Sequence, residues 1–109
     1  MIDIYNPTFD KSKVVVYVVG RISGDPNFKT KFEYVYKFLK HHGYNRVIVP
    51  TCVADNLPYE RYAPISLGFV QACDVVYALS DWKDSTGAKA EVAYAKMARK
   101  IVLYEENYL

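Results

Sequence analysis

Short apolar runs alternate with longer amphipathic segments along this chain, which is the pattern of an α/β protein. The apolar runs are rich in β-branched and aromatic residues, as expected of strands buried in a parallel sheet. They are Val14–Val19, Arg46–Val49, Val75–Leu79 (opened by Asp74) and Ile101–Tyr104. The crossovers between them are long enough to be right-handed, so the pattern predicts four parallel strands ordered 2-1-3-4 with helices on both faces. This is a three-layer sandwich of the flavodoxin or Rossmann type.

Each segment between two strands carries a helical pattern. The first helix should follow Asn27 as its N-cap and end at Gly43. Its apolar face consists of Phe28, Phe32, Val35, Tyr36 and Leu39. The second is predicted from about Pro64 to Ala72, and the third from an N-cap near Thr86. The buried face of the second helix is expected to be Ile65, Phe69 and Ala72.

Three segments fall outside these elements. Residues 1–13 are expected to form an arm, whose apolar positions Ile2, Ile4 and Phe9 pack on this subunit or on a neighbour. The stretch from Thr51 to Arg61, with Asp55 and Asn56, is the longest irregular piece, and such a loop often covers a site. A second arm spans Glu105 to Leu109. At 109 residues the whole chain is expected to be one domain.

Glu91 lies on an unexpected side of the third helix. Helical spacing places the basic residues of that helix together on a side that faces water, and Glu91 nearly opposite them among small residues. The basic side is formed by Lys89, Lys96, Arg99 and Lys100. Because Glu91 also lacks a basic residue three or four positions away, the pattern favours a partly desolvated carboxylate beside a ligand over a solvated surface residue.

The predicted sheet order has its switch point between the first and third strands. Ligands in open α/β sheets bind at the carboxyl ends there, which places Gly20–Pro26 and Ser80–Gly87 at the site. Gly20 and Gly24 allow close backbone approach, and the helix start after Ser85 offers free amides to an anion. Either segment alone could be a plain turn or cap. Together they favour a phosphorylated or polyhydroxylated small molecule.

Composition limits the function classes. About half of the residues are hydrophobic and the net charge is only +2, so no nucleic-acid surface is expected. The 11 tyrosines fit half-buried strands and interfaces. Cys52 and Cys73 lack metal-ligand spacing, so no metal site is expected. No cofactor is expected either. No leader pattern or membrane-length apolar run occurs, and the default expectation is a cytoplasmic protein without a membrane partner.

The ordered motifs resemble those of the nucleoside 2-deoxyribosyltransferase superfamily. Three motifs carry the likeness, namely Tyr17–Gly24, Cys73–Tyr77 and the Trp-x-x-Ser-x-Gly-Ala-x-x-Glu pattern from Trp82 to Glu91. They lie within residues 14–104, and the chain is most similar to a small bacterial and phage family of deoxyribosyltransferase-like proteins of largely unassigned function. The expected substrate contacts are Tyr17, Gly20, Arg21, Ile22, Ser23, Gly24, Trp82, Ser85, Gly87 and Ala88.

The resemblance implies a catalytic role for Glu91. In characterised members the matching glutamate attacks the anomeric carbon and displaces the base, and water or a second base resolves the intermediate. Free-nucleoside transferases carry an aspartate six residues earlier, whereas the nucleotide hydrolases carry a serine that helps to hold the 5′-phosphate. Ser85 occupies that position here and implies a nucleoside monophosphate substrate.

One position departs from the superfamily pattern. Members usually carry an aspartate eight residues before the position of Asp74, and this chain has Ser66 there. Asp81 and Asp84 are the nearby carboxylates that could replace it in proton transfer, although each is also explained as a loop or cap residue. The main hypothesis is therefore an N-glycosidic hydrolase or 2-deoxyribosyltransferase. The alternatives are an inactive nucleotide-binding module or an oligomeric interaction protein. A homo-oligomer, dimer or larger, is expected from the resemblance.

Overall fold

The structure is a computed structural model that describes residues 4–52 and 57–108, with the backbone alone at Cys52 and Tyr59. Four strands form a single parallel sheet in the order β2-β1-β3-β4. The elements are β1 Val15–Val19, α1 Phe28–His41, β2 Arg46–Ile48, α2 Tyr59–Ala72, β3 Val75–Ala78, α3 Thr86–Met97 and β4 Ile101–Tyr104. The predicted α/β fold and strand order are confirmed.

Alternate residues of the central strands enter two separate cores. On one face Val16 and Val18 of β1 pack with Phe32, Val35 and other apolar residues of α1. On the other face Tyr17 and Val19 pack against α2 and α3. This period of two is the reason that every residue from Val16 to Val19 is buried although successive side chains point in opposite directions.

The described part of the N-terminal arm packs on its own chain. Ile4 is buried in the α1-side core, where the Tyr44 hydroxyl donates a 2.7 Å hydrogen bond to the Ile4 carbonyl oxygen. Phe9 packs against the same core. Of the two expected positions of the arm, the structure therefore has the one on this subunit, since Ile4 and Phe9 both pack against its core. Ile2 lies outside the described residues.

The second helix differs from its prediction. It begins at Tyr59 rather than near Pro64, which lies inside the helix. Pro64 is the sixth residue of α2 and lies past the first turn, so it cannot donate a hydrogen bond to the Glu60 carbonyl oxygen and its ring crowds that carbonyl group. The expected buried face is wrong for Ile65, which is 41% exposed, and for Ala72, which is also exposed.

The inward face of α2 is formed by Ser66 and Val70, followed by Cys73 just beyond the helix. Phe69 is half-buried beside them. Ser66 is 2% exposed, and its hydroxyl donates a 3.1 Å hydrogen bond to the Ala63 carbonyl oxygen. That hydrogen bond satisfies the Ser66 hydroxyl, so the serine can be buried on the inward face of α2. Hydrophobicity alone predicts Ile65 on that face.

The start of α3 is one residue from its predicted position. Ser85, not Thr86, is the N-cap, because the Ser85 hydroxyl accepts a 3.1 Å hydrogen bond from the Ala88 amide. The predicted irregular stretch from Thr51 onward is also shorter, since it contains a short 3₁₀ turn and gives way to α2 at Tyr59. Asp55 and Asn56 lie outside the described residues. No helix in the described ranges is long and apolar enough to cross a membrane.

Candidate active site

A cleft of about 1110 Å³ opens at the carboxyl ends of β1 and β3. One wall is the loop after β1, with Gly20, Ile22, Ser23 and Gly24, and another is residues 84–88 at the start of α3. Pro50, Leu57 and Tyr62 line the cleft from the β2 and α2 side, and residues 25, 26 and 28–30 line it at the start of α1. The cleft therefore lies at the switch point of the sheet, where open α/β folds bind their ligands.

Glu91 borders this cleft from within α3. Its side chain is on the inward face of the helix, next to the buried residues Ala88, Val92 and Ala95, and is only 6% exposed. Its Oε2 atom makes no hydrogen bond to any described residue. Burial raises the pKa of Glu91 to about 7, and the Tyr17 hydroxyl has a smaller opposite effect. A carboxyl group that changes charge near neutral pH beside an open cleft is a candidate for catalysis.

Tyr17 lies in the core rather than in the cleft wall. The residue is fully buried, and its ring centroid is 5.4 Å from that of Phe69. Burial first, and then the charges of Glu91 and Tyr62, raise the pKa of the Tyr17 phenol. The Tyr17 hydroxyl makes no hydrogen bond within the described ranges. The Tyr17 hydroxyl is nevertheless near enough to Glu91 to lower the pKa of that carboxyl group slightly.

The N-terminus of α3 forms the polar corner of the cleft. The first amides of a helix have no intrahelical acceptor and favour an anion. Because the Ser85 hydroxyl already binds the Ala88 amide, Thr86 and Gly87 supply the amides that remain for a ligand. The expected set of Ser85, Gly87 and Ala88 lines the cleft, but the Ala88 amide is occupied by the cap.

The carboxylates expected near Glu91 differ in their surroundings. Asp84 lines the cleft and is exposed. Asp81 is not part of the cleft lining. Its Oδ2 atom accepts a 2.6 Å hydrogen bond from Lys31, and its Oδ1 atom accepts a 3.1 Å hydrogen bond from the Arg21 amide. The geometry leaves Asp84 as the cleft carboxylate closest in sequence to Glu91.

Two further predicted contacts lie outside the cleft lining. The Trp82 ring packs on Tyr104, with 5.6 Å between ring centroids. The Arg21 side chain turns back on its own loop, where Nε donates a 3.1 Å hydrogen bond to the Ser23 carbonyl oxygen. Arg21 and Trp82 therefore shape the loops that carry the cleft, while Ile22 and Ser23 border it.

The sequence analysis misses several residues of the cleft lining, namely Phe28, Lys29, Thr30, Pro50 and Tyr62. It also misses Lys31, which is not part of the lining but binds the loops that border the cleft. Tyr62 lies in α2, between the end of the predicted irregular stretch at Arg61 and the predicted helix start near Pro64. Lys31 is a basic residue beside the apolar face of α1, and its acceptors lie as far as 50 positions away in the sequence. Nothing in the local pattern distinguishes Lys31 from the other lysines of α1.

Comparison with known proteins gives a fold and a family. No curated protein matches the sequence. Among solved structures, the fold is similar to that of a 2-desoxiribosyltransferase from Leishmania mexicana, with a TM-score of 0.65 and 21% sequence identity. The match covers 84% of this chain and 63% of that one, so the chain spans less than two thirds of that protein's length. The profile described as Domain of unknown function (DUF4406) matches residues 14–104, and the chain therefore belongs to that family.

Proposed function

We propose that the protein cleaves the N-glycosidic bond of a nucleotide or nucleoside, as a hydrolase or a 2-deoxyribosyltransferase, with Glu91 as the nucleophile. The observation that carries the proposal is the Glu91 carboxyl group, buried at the edge of the cleft with an Oε2 atom that no described residue binds. Such a group costs stability, and a role in catalysis explains why it is retained. The fold shared with a 2-desoxiribosyltransferase supports the same reaction class.

The chemistry needs an ionised carboxylate next to an electron-poor carbon. A Glu91 oxygen forms a bond to the anomeric carbon of the sugar as the bond from that carbon to the base nitrogen breaks, and the base leaves with the electron pair. A proton delivered to the base assists its departure, and Asp84 is the proposed donor because it lines the same cleft. Water then attacks the anomeric carbon in hydrolysis, or a second base does so in transfer, and Glu91 is released.

A nucleoside 5′-monophosphate is the proposed substrate. The amides of Thr86 and Gly87 and the hydroxyl of Ser85 form a polar corner one to two helical turns from Glu91. A phosphate group there would interact favourably with the positive end of the helix dipole. The apolar side chains of Ile22, Phe28 and Leu57 line other parts of the cleft and suit a base. A homo-oligomer, in which a neighbour completes the site, remains part of the proposal.

A nucleotide-binding module without turnover is the second candidate. Ser66 replaces an expected carboxylate, and its hydroxyl is engaged with Ala63 within its own helix. Asp81 is engaged with Lys31. Two positions that could have moved protons are therefore unavailable, and the proposed turnover depends on Asp84 or on solvent.

Chromatography of released base separates the two candidates. The protein is incubated with a panel of ribo- and deoxyribonucleoside monophosphates and the matching nucleosides. We expect free base from at least one monophosphate, and slower release from its nucleoside because the phosphate contacts are lost. Saturable calorimetric binding of a monophosphate without any base would favour the binding module. Neither base nor binding with any compound would contradict both proposals.

A further inference from the structure

Lys31 lies at the centre of a polar cluster that joins the two loops bordering the cleft. Its ammonium group donates hydrogen bonds to Asp81 Oδ2 at 2.6 Å, to Asp25 Oδ2 at 2.7 Å and to the Arg21 carbonyl oxygen at 2.8 Å. An ammonium group has three donors, so all of them are used. Arg21 and Asp25 belong to the loop after β1, and Asp81 belongs to the segment between β3 and α3.

The cluster is shielded enough to hold its geometry. The side chain of Lys31 is 25% exposed, and those of Asp25 and Asp81 are 21% and 27% exposed. Partly buried ion pairs are screened less by salt than exposed ones, and charged hydrogen bonds of this length are strong. The hydrogen bond from Lys31 also lowers the pKa of Asp25. The ammonium charge therefore joins two carboxylates that would otherwise repel each other.

The same two loops touch at Gly20. A Cβ atom added there would lie 2.9 Å from Leu79 Cδ1 and 3.2 Å from Asp81 Oδ1. The Arg21 amide beside it donates to Asp81 Oδ1 at 3.1 Å. Glycine permits this close approach, and the two oxygens of the Asp81 carboxylate bind the Arg21 amide and the Lys31 ammonium group.

We infer that Lys31 is a positioning residue, which fixes the loop after β1 against the segment leading into α3 and thereby sets the affinity of the cleft for its ligand. Asp81, considered above as a catalytic carboxylate, is the partner through which Lys31 acts. The ligand part of this inference rests on the proposed function, whereas the part that concerns the two loops does not. Lys31 holds the walls and takes no part in bond cleavage, so its loss affects binding more than chemistry.

The test compares Lys31→Met with Lys37→Met. Both variants lose one lysine charge from α1, but the Lys37 side chain is 74% exposed and pairs with Glu33 in the preceding turn. Two quantities are measured, namely hydrogen exchange of the Arg21 amide by NMR and the kinetics of base release. For Lys31→Met we expect Arg21 exchange to rise about tenfold or more and KM for the nucleotide to rise about tenfold, with kcat changed less than about threefold.

Two further variants identify the partner. Asp81→Asn should reproduce the rise in KM, and adding Lys31→Met to it should raise KM little further, since both remove one interaction. Lys31→Arg keeps the charge and several donors and should restore most of the affinity.

The inference is overturned if Lys31→Met matches Lys37→Met in both measurements. It is also overturned if exchange rises equally at the Val18 amide in the central strand, because the residue would then act on global stability alone. If the wild-type protein neither binds nor cleaves any nucleotide, the proposed function fails, while the Arg21 exchange still decides whether Lys31 holds the loops together.

Discussion

Replacing Glu91 with glutamine should lower kcat for base release by at least about 1,000-fold and leave the protein folded. Glutamine has nearly the same shape, but its amide oxygen is a poor nucleophile and carries no charge to stabilise an oxocarbenium-like centre. The site is otherwise preserved, so KM should change much less than kcat. Base release is measured by chromatography under saturating nucleotide, with circular dichroism to verify folding.

Glu33→Gln is the matched control for that experiment. It makes the same chemical change on α1, where the Glu33 side chain is 65% exposed and pairs with Lys37. Its activity should equal that of the wild-type protein. If Glu91→Gln retained activity within about tenfold while Glu33→Gln was unchanged, Glu91 would not be the nucleophile, and Asp84 would be the next carboxylate to replace.

The same substitution should remove a loss of stability that the wild-type protein shows as the pH rises through neutrality. Burial raises the pKa of Glu91 from an ordinary value of 4.5 to about 7, so the folded state binds a proton that the unfolded state releases between these values. This proton uptake by the folded state stabilises the protein fully below pH 4.5, and the stabilisation is lost as the pH rises through 7. Relative to Glu91→Gln, the wild-type protein should therefore lose about 3 kcal/mol of unfolding free energy between pH 4.5 and pH 8.

Urea unfolding at pH 4.5, 6 and 8 measures this difference. The comparison across pH removes the constant cost of burying the glutamine amide, which is the same at each pH. Glu33→Gln should follow the wild-type curve because its carboxylate is exposed. Parallel stability curves for wild type and Glu91→Gln would show that the carboxyl group titrates as if it were in water, contrary to its burial.

These two results together would identify Glu91 as a residue kept at the expense of stability. A buried carboxyl group that no described residue binds through Oε2 weakens the fold at the pH where it would act. Loss of activity accompanied by a gain in stability is expected of a functional group, and loss of both is expected of a structural one.

Much of the fold could be predicted from the sequence because the strands and helices indicated by the hydrophobic pattern are the ones that a parallel sheet ordered 2-1-3-4 requires. The strand runs are bounded by clear breaks, and parallel crossovers leave few possible strand orders. Glu91 was placed on the inward side of α3 by helical spacing alone, and the structure has it 6% exposed. A shift of the helix start by one residue, from Thr86 to Ser85 as the cap, did not alter that placement.

The remaining features depend on hydrogen bonds and ion pairs that the hydrophobic pattern does not show. The prediction of the buried face of α2 is wrong because a hydrogen bond within the helix allows Ser66 to be buried, while Ile65 faces outward. The sequence offers Asp81 as a carboxylate that could replace the aspartate missing at Ser66, whereas its engagement by Lys31 depends on a contact 50 positions away. Sequence spacing indicates which residues reach an edge of the sheet, but not which of them neutralise each other there.

Trapping of a covalent intermediate tests the central claim most directly. A nucleoside monophosphate with fluorine at C2 of the sugar disfavours the oxocarbenium-like state and slows release of the glycosyl group from the protein. The account predicts that intact-mass spectrometry finds the protein heavier by one fluorinated glycosyl phosphate group, that peptide mapping places it on Glu91, and that Glu91→Gln carries none. Base release without any adduct, or an adduct on another residue, would contradict the assignment of Glu91 as the nucleophile.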